Sequence, residues 1–367
     1  MADAGQLVGS MHVRNFACVR DVDVKLTPLH AFIGPNDSGK SSLLRALRTA
    51  LHLSTSIFFE PAKGSESEGV LPFAPGSLEP GTSISLSFVG EGHGDYGFRV
   101  GPDVKITEWT DWPGKPRNQQ SRGWLSTWVG SPQMGPFAAM ASLFPEAFLQ
   151  RLSTRFVHLI PGTLREPSDL IPDDGKIAFG DEFGRGLPGI LDAVLNRGDD
   201  SFLKIVEGVR GLFPTIKTIR LRPITRHSKV IDVELTSGAR VPAAFVSEGM
   251  LFYLAFAALQ YLEPVGMLLV EEPENGLHPA RIVDVMRILR EISKVTQVVM
   301  ATHSPLVINE LRGDEVTLVT RDAEKGTQVK LLSETPNFAE RSKVYALGEL
   351  WLSYANGVDE APLLHEG

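Results

Sequence analysis

Apolar and polar positions alternate at the start of the chain. "HVRNF" at 12–16 and "VDVKL" at 22–26, with Val22, Val24 and Leu26 on one face, predict two strands, and the unbroken run "LHAFIG" predicts a buried strand after them. The period then lengthens. Leu43, Leu44, Leu47 and Leu51 share one helical face while Arg45 and Arg48 lie elsewhere, so a helix follows the segment "GPNDSGKSS". Between residues 61 and 135, Gly, Pro, Ser and Trp become frequent around short alternating segments such as "SISLSF" and "YGFRV", the mark of a β-rich excursion with long loops. A helical patch at 138–153, the loop "IPGTLREPSDLIPDDG" and a helix around 187–210 lead back to "IDVEL" at 231–235.

Regular order returns after residue 245. "MLFYLAFAALQYL" at 250–262 is apolar all round and predicts a buried helix; a strand at 267–270 comes next, then a helix opening at Pro279 with Ile282, Val285, Met286, Leu289 and Ile292 on its inner face. The strand "QVVMA" ends at "THSP", and "EVTLV" and "QVKLL" supply two more strands. Strands alternating with helices imply a mainly parallel sheet covered on both sides. The pattern divides the chain into 1–60, an insertion at 61–229, a second core segment at 230–335 and a tail at 336–367. No repeat of 20–50 residues and no sustained heptads interrupt it.

Composition narrows the class. With 367 residues, 43% hydrophobic and 22% charged, the chain has the make-up of an ordinary globular protein with room for two domains or one domain and an insertion. The apolar run at 250–262 is too short to span a bilayer, the first residues lack a secretory pattern, and Cys18 has no partner for an intrachain disulfide. A cytoplasmic protein outside the membrane is the expectation. The net charge of −8 argues against coating nucleic acid by overall attraction, which leaves nucleic acid to a local patch. Such a patch exists between Glu207 and Asp232, where Arg210, Lys217, Arg220, Arg222, Arg226 and Lys229 occur without an acid among them; a solvated strand face is the plainer reading.

The chemistry concentrates in four places. Gly34–Pro35–Asn36–Asp37–Ser38–Gly39–Lys40–Ser41 matches G-x-x-x-x-G-K-[ST] in full, Ser42 follows, and the match lies between a predicted strand and a predicted helix. Glycines at 34 and 39 permit a tight loop whose N–H groups point at phosphate, Lys40 brings a cation to the β and γ phosphates, and Ser41 offers a hydroxyl to Mg²⁺. ATP and Mg²⁺ are the expected cofactors. "VEEPENGLHP" packs Glu271, Glu272 and Glu274 into four positions after a strand, and three carboxylates so close call for a cation. Glu271 is expected to hold Mg²⁺ through its water shell and Glu272 to orient or deprotonate the attacking water; Glu274 is given to a turn or a contact across subunits. His303, after its strand, is placed to hydrogen-bond the γ-phosphate. Ser247 and Gly249 in "FVSEGM" sit at the start of the buried helix, where N–H groups and the helix dipole favour an anion.

In that order, "GPNDSGKSS", "VSEGM", "LLVEEPENGLHP" and "ATHSP" resemble the nucleotide-binding head of ABC-type ATPases, and more closely the branch with SMC, RecF and the OLD (overcoming lysogenization defect) proteins. The resemblance covers about residues 10–60 and 230–335. It implies an α/β P-loop NTPase of ABC-ATPase type, with a mainly parallel sheet flanked by helices, an N-terminal antiparallel β part and a mixed α/β insertion. It further implies an ATPase whose heads form a homodimer head to tail, Ser247 and Gly249 of one copy meeting the nucleotide held by Lys40 of the other, with Asn275, Gly276 and Leu277 crossing the interface. The glutamine that senses Mg²⁺ in such heads has Gln119, Gln120 and Gln133 as candidates and no convincing strand before any of them. Ser-Glu-Gly stands where the signature reads Ser-Gly-Gly, and Glu271 stands where transporters usually carry Asp. Only about 35 residues follow the last strand, the one Asp-x-Asp (Asp21, Asp23) lies on a strand before the loop, and no hooked coiled coil is present, so a head without the OLD TOPRIM nuclease is expected. The implied function is an ATP-driven clamp or switch acting with a separately encoded effector, a nuclease by analogy, in DNA repair or defence against phage. The ATPase subunit of a transporter and a non-hydrolysing ATP-bound scaffold stay open as alternatives.

Overall fold

The computed structural model describes residues 6–58, 80–89, 94–100, 106–111, 118–122 and 151–355. Packing separates the chain into two units, one of Met1–Arg155, Val265–Leu269 and Ser293–Gly367, the other of Phe156–Pro264 and Val270–Ile292.

Two six-stranded sheets draw most of their residues from the first unit. Val8–Phe16 and Val19–Lys25 form the expected antiparallel hairpin, with Val13 opposite Val22 and Met11 opposite Val24, both pairs buried. Its turn puts Asn15 and Ala17 at positive φ, 49° and 50°. Ser83–Phe88, Gly94–Val100, Ile106–Asp111 and Asn118–Arg122 then extend the hairpin into a six-stranded sheet, each pairing antiparallel with its neighbour.

In the second sheet the order is Gly326–Leu331, Val316–Asp322, Leu29–Ile33, Gln297–Thr302, Met267–Glu271, Thr154–Val157. Leu29–Ile33 lies between two parallel partners, Gln297–Thr302 and Val316–Asp322, while Gly326–Leu331 adds an antiparallel edge. All five residues of Leu29–Ile33 and all six of Gln297–Thr302 are buried, which is why both read as unbroken apolar runs rather than alternating ones. Gln297, one of the polar residues buried in these strands, spends its whole amide on backbone. Its Oε1 accepts from the N–H groups of Leu7 (3.0 Å) and Val8 (2.8 Å), and its Nε2 donates to the carbonyls of Val8 (2.8 Å) and Thr27 (3.0 Å). At about 0.5–1.5 kcal/mol net each, these bonds tie the first strand to the start of a distant one. The helix Lys40–Phe58 buries Leu43, Leu44, Leu47 and Leu51 and exposes Arg45, as the spacing predicts.

The second unit carries the buried helix. Glu248–Leu259 has every residue from Met250 to Leu259 covered, consistent with its all-round apolar surface. Pro279–Ile292 buries Ile282, Val285, Met286 and Leu289, with Ile292 half-buried. The helix expected around 187–210 is two helices, Leu187–Asn196 and Ser201–Leu212, broken where Gly198 turns to φ +73°. Asp199 restarts the helix: its Oδ1 accepts from the N–H of Ser201 at 2.8 Å, and hydrogen bonds from Ser201 hold its carboxyl below the usual range. Ile216–Pro223, Ser228–Leu235 and Arg240–Pro242 form an antiparallel sheet, and Ser168–Asp169 pairs with the start of the middle strand. The helical patch expected at 138–153 falls outside the described residues except for its last three. Among the described residues no helix is long and apolar enough to cross a membrane.

Candidate functional site

Residues 34–42 link the strand Leu29–Ile33 to the helix Lys40–Phe58, the setting a phosphate loop needs. Two of its glycines are sterically required. A Cβ on Gly34 would lie 1.9 Å from the Val319 carbonyl oxygen; one on Gly39, at φ +110°, would lie 2.4 Å from Thr327 Oγ1. Asp37 holds φ +66° and its Oδ2 accepts from Arg321 Nη1 at 2.5 Å, while Thr327 Oγ1 donates to the Ser38 carbonyl at 2.9 Å. The strands that follow residue 315 thus clamp the outer side of the loop.

Lys40 is buried, with Nζ donating to the carbonyls of Gly34 (2.9 Å) and Pro35 (2.7 Å). The ammonium therefore sits over the loop. Ser38 Oγ is buried with no hydrogen-bond partner among the described residues, and Ser41 and Ser42 are half-buried at the head of the helix. A curled backbone with a cation, spare hydroxyl capacity and a helix N-terminus suits the phosphates of a nucleotide. Pro35, Asn36 and Asp37 form the exposed crest of the loop. His303 belongs to the same neighbourhood: Thr302 stands opposite Ile33 in the parallel register, so His303 and Gly34 leave adjacent strands at the same level. His303 is exposed there.

The second unit gathers the remaining candidates. Glu271 ends its strand, and Glu272 takes φ +49°, a left-handed conformation that a glutamate adopts only when its surroundings enforce it. Glu274 heads a turn, its carbonyl accepting from the N–H of Leu277 at 3.1 Å, with Gly276 at φ +67°. Of the two roles expected for Glu274, the turn is visible. Ser247 is the residue before the helix Glu248–Leu259, exposed and without a side-chain capping bond. Gly249 approaches the loop after Glu272 closely, since a Cβ there would meet the Gly276 carbonyl oxygen at 3.1 Å. Ser247, Gly249, Asn275, Gly276 and Leu277 are thereby neighbours within one chain.

Sequence reasoning missed two residues here. His158 Nδ1 lies 3.1 Å from Glu271 Oε2, an ion-pair distance that places a protonatable ring against the crowded carboxylates. It follows the strand Thr154–Val157, so the reasoning that singled out His303 at a strand's end applies to it equally. Arg165, which ends a short helix, Pro161–Arg165, inside the segment expected to be a loop, donates through Nη2 to the Val246 carbonyl at 3.1 Å and sets Nη1 3.9 Å from Glu248 Oε1. Arginine inside a proline-rich loop was its only sequence signal. Gln119 and Gln120 lie in the strand Asn118–Arg122, and Gln133 is outside the described residues.

The basic run proves to be largely neutralised. Glu234 takes Lys217 at 2.8 Å and also pairs with Arg220, Asp232 takes Arg222 at 2.6 Å, and Asp192 takes Lys229 at 2.5 Å. Lys217, then Arg220, hold the Glu234 carboxyl below the usual range. Arg226 stays exposed in the turn between the strands, and Arg210 donates to the Lys217 carbonyl.

A family model described as an AAA domain, putative AbiEii toxin of type IV toxin–antitoxin systems, matches residues 29–309. The OLD nuclease of Thermus scotoductus is 46% identical over 41 residues, which make up 11% of this chain and 8% of that protein. Among solved structures, an SMC head bound to the C-terminal winged-helix domain of ScpA superposes with a TM-score of 0.58 at 15% identity, covering 88% of this chain and 97% of that one. An Smc head with an extended coiled coil, bound to the C-terminal domain of ScpA derived from Pyrococcus furiosus, gives 0.52 at 13% identity over 92% and 99%. At such identities the likeness is one of fold: an SMC-head fold of mixed α/β type, with a mainly parallel sheet beside an antiparallel one.

Proposed function

The chain belongs to the AAA-domain family described as putative AbiEii toxins of type IV toxin–antitoxin systems, and on that premise we propose that it binds Mg²⁺–ATP on residues 34–42 and hydrolyses it. The observation that carries the reading is the complete phosphate loop itself, fixed by Gly34 and Gly39 and crowned by a buried lysine. Lys40 and the loop N–H groups hold the phosphates. Ser41 and Glu271 serve the Mg²⁺ ion, which when bound screens the phosphate charge. Glu272 orients or deprotonates the attacking water, and His303 senses the γ-phosphate. The strained φ of Glu272 supports its assignment, because left-handed carboxylate residues gather where orientation matters.

Two copies pair head to tail in this reading, with Ser247 and Gly249 of one facing the nucleotide of the other. The SMC-head fold supports that arrangement by analogy. The SMC heads it resembles were captured with ScpA, a separate protein; a separately encoded effector, a nuclease by analogy with the OLD relative, fits this chain in the same way. Phage defence or DNA repair is the proposed setting, and the toxin–antitoxin description of the family favours defence.

The test is a comparison of the native chain with Glu272→Gln and Lys40→Ala. Glu272→Gln should keep ATP affinity while hydrolysis slows by about 10²–10⁴-fold, the usual contribution of a positioned base. With ATP its mass by light scattering should rise to about twice the 40.0 kDa of one chain. Lys40→Ala should lose binding and turnover together. Native-like turnover in Glu272→Gln would remove that residue from the mechanism.

A further inference from the structure

Glu248 is an awkward neighbour for an anion site. It directly follows Ser247, is exposed, and opens the helix, where its carboxylate suits the helix dipole but repels any phosphate brought to Ser247. Arg165 answers that charge. Its guanidinium brackets the serine, with Nη2 on the carbonyl of Val246 just before it and Nη1 3.9 Å from the carboxylate of Glu248 just after it.

The arginine is anchored and not fully spent. It ends the helix Pro161–Arg165, whose Leu164 is completely buried, and its Nε is buried with no hydrogen-bond partner among the described residues. The adjacent carboxylate, Glu166, is taken at 2.5 Å by Arg185, which also holds Asp181. Arg165 is thereby left to Glu248.

We propose that Arg165 is the positioning residue of the Ser247 segment: it pins the backbone before the serine and cancels the carboxylate after it, so that Ser247 can meet a triphosphate held by a second copy of the chain. This rests on the head-to-tail reading given above. It also accounts for Glu248 occupying a position where a glycine would need no counter-charge. The pair replaces small size with charge balance.

The experiment uses the full-length chain in four forms: Arg165→Ala, Arg165→Gln, Arg165→Ala with Glu248→Gln, and Glu248→Gln alone. Arg165→Ala should lower kcat roughly tenfold to hundredfold, the weight of a hydrogen bond to a charged group, with binding of a fluorescent ATP analogue to the single chain unchanged. Arg165→Gln, which can still donate to the Val246 carbonyl, should lose activity as well. Adding Glu248→Gln to Arg165→Ala should restore the part of the loss that comes from the uncancelled carboxylate, a several-fold rise over Arg165→Ala that a merely structural arginine would not give. Failure of that rescue, or native kcat in Arg165→Gln, overturns the charge-balancing role.

Mixing separates the two layers of the argument. Ser247→Arg mixed with Lys40→Ala should regain turnover through one intact site per heterodimer, and Arg165→Ala mixed with Lys40→Ala should exceed Arg165→Ala alone. If only the first mixture recovers, the role of Arg165 falls and head-to-tail pairing stands. If neither does, the pairing itself falls.

Discussion

At the scale of the residue, environment decides what each side chain does. His30 is fully buried within the strand that leads into the phosphate loop, its Nε2 2.9 Å from Thr317 Oγ1 and its Nδ1 3.2 Å from Thr27 Oγ1. Burial pushes its pKa from 6.5 down to about 3, against a weaker opposing pull from Asp314. The unfolded chain therefore takes up this proton first. The stabilisation is complete above about pH 6.5 and is lost as pH falls toward 3, at up to about 1.4 kcal/mol per pH unit. Thermal melting between pH 7 and pH 4.5 should show a shallower decline for His30→Gln than for the parent; identical slopes would mean that His30 titrates freely. The loop around Lys40 was legible in the sequence because a motif fixes it. The positive φ of Glu272 was not, because no local signal marks a strained glutamate. Nor was the pairing of His158 with Glu271, which depends on a strand more than 100 positions away.

At the scale of the element, periodicity was a good guide to faces and a poor one to partners. The helix at 250–262 and the strands at 29–33 and 297–302 read correctly because continuous burial leaves continuous apolar sequence. The helix around 187–210 read as one because its apolar spacing survives the break at Gly198. The strands Ile216–Pro223 and Ser228–Leu235 illustrate the other failure: a run that looks basic along the chain is balanced across the hairpin by Asp232 and Glu234. Reversing Arg220 and Arg222 to Glu would set carboxylates against these acids and damage the hairpin itself. Arg226→Glu is the cleaner probe. If the turn touches a nucleic-acid backbone in the ATP-bound state, that change should reduce the salt slope of binding by about one phosphate's worth, roughly 0.9, and an unchanged slope would return the turn to solvated surface.

At the scale of the whole molecule, the first unit is assembled from three separated stretches and the second from two. Such weaving is invisible to local pattern. Alternation told which residues of "SISLSF" and "YGFRV" face inward but not that their strands would continue the N-terminal hairpin. The order of the four motifs carried more, since together they point to a head-type fold. Contacts such as Gly249 with Gly276, or Arg165 with Val246, arise only once the fold brings distant loops together.

The amide of Gln297 sets a clock for synthesis. Leu7 and Val8 leave the ribosome early, yet the side chain that receives their N–H groups is 290 and 289 positions further on. At about 5–20 residues per second the wait is roughly 15–60 s, during which the first strand stays without its anchor on a growing chain. Stalled chains that end before Gln297 should therefore be cut by added protease near residue 7, and chains extended far enough for the whole second sheet to emerge should resist. Equal resistance at both lengths would show that the first hairpin docks by other means. A cell making this protein has to shelter the strand Val8–Phe16 until Gln297 has been made.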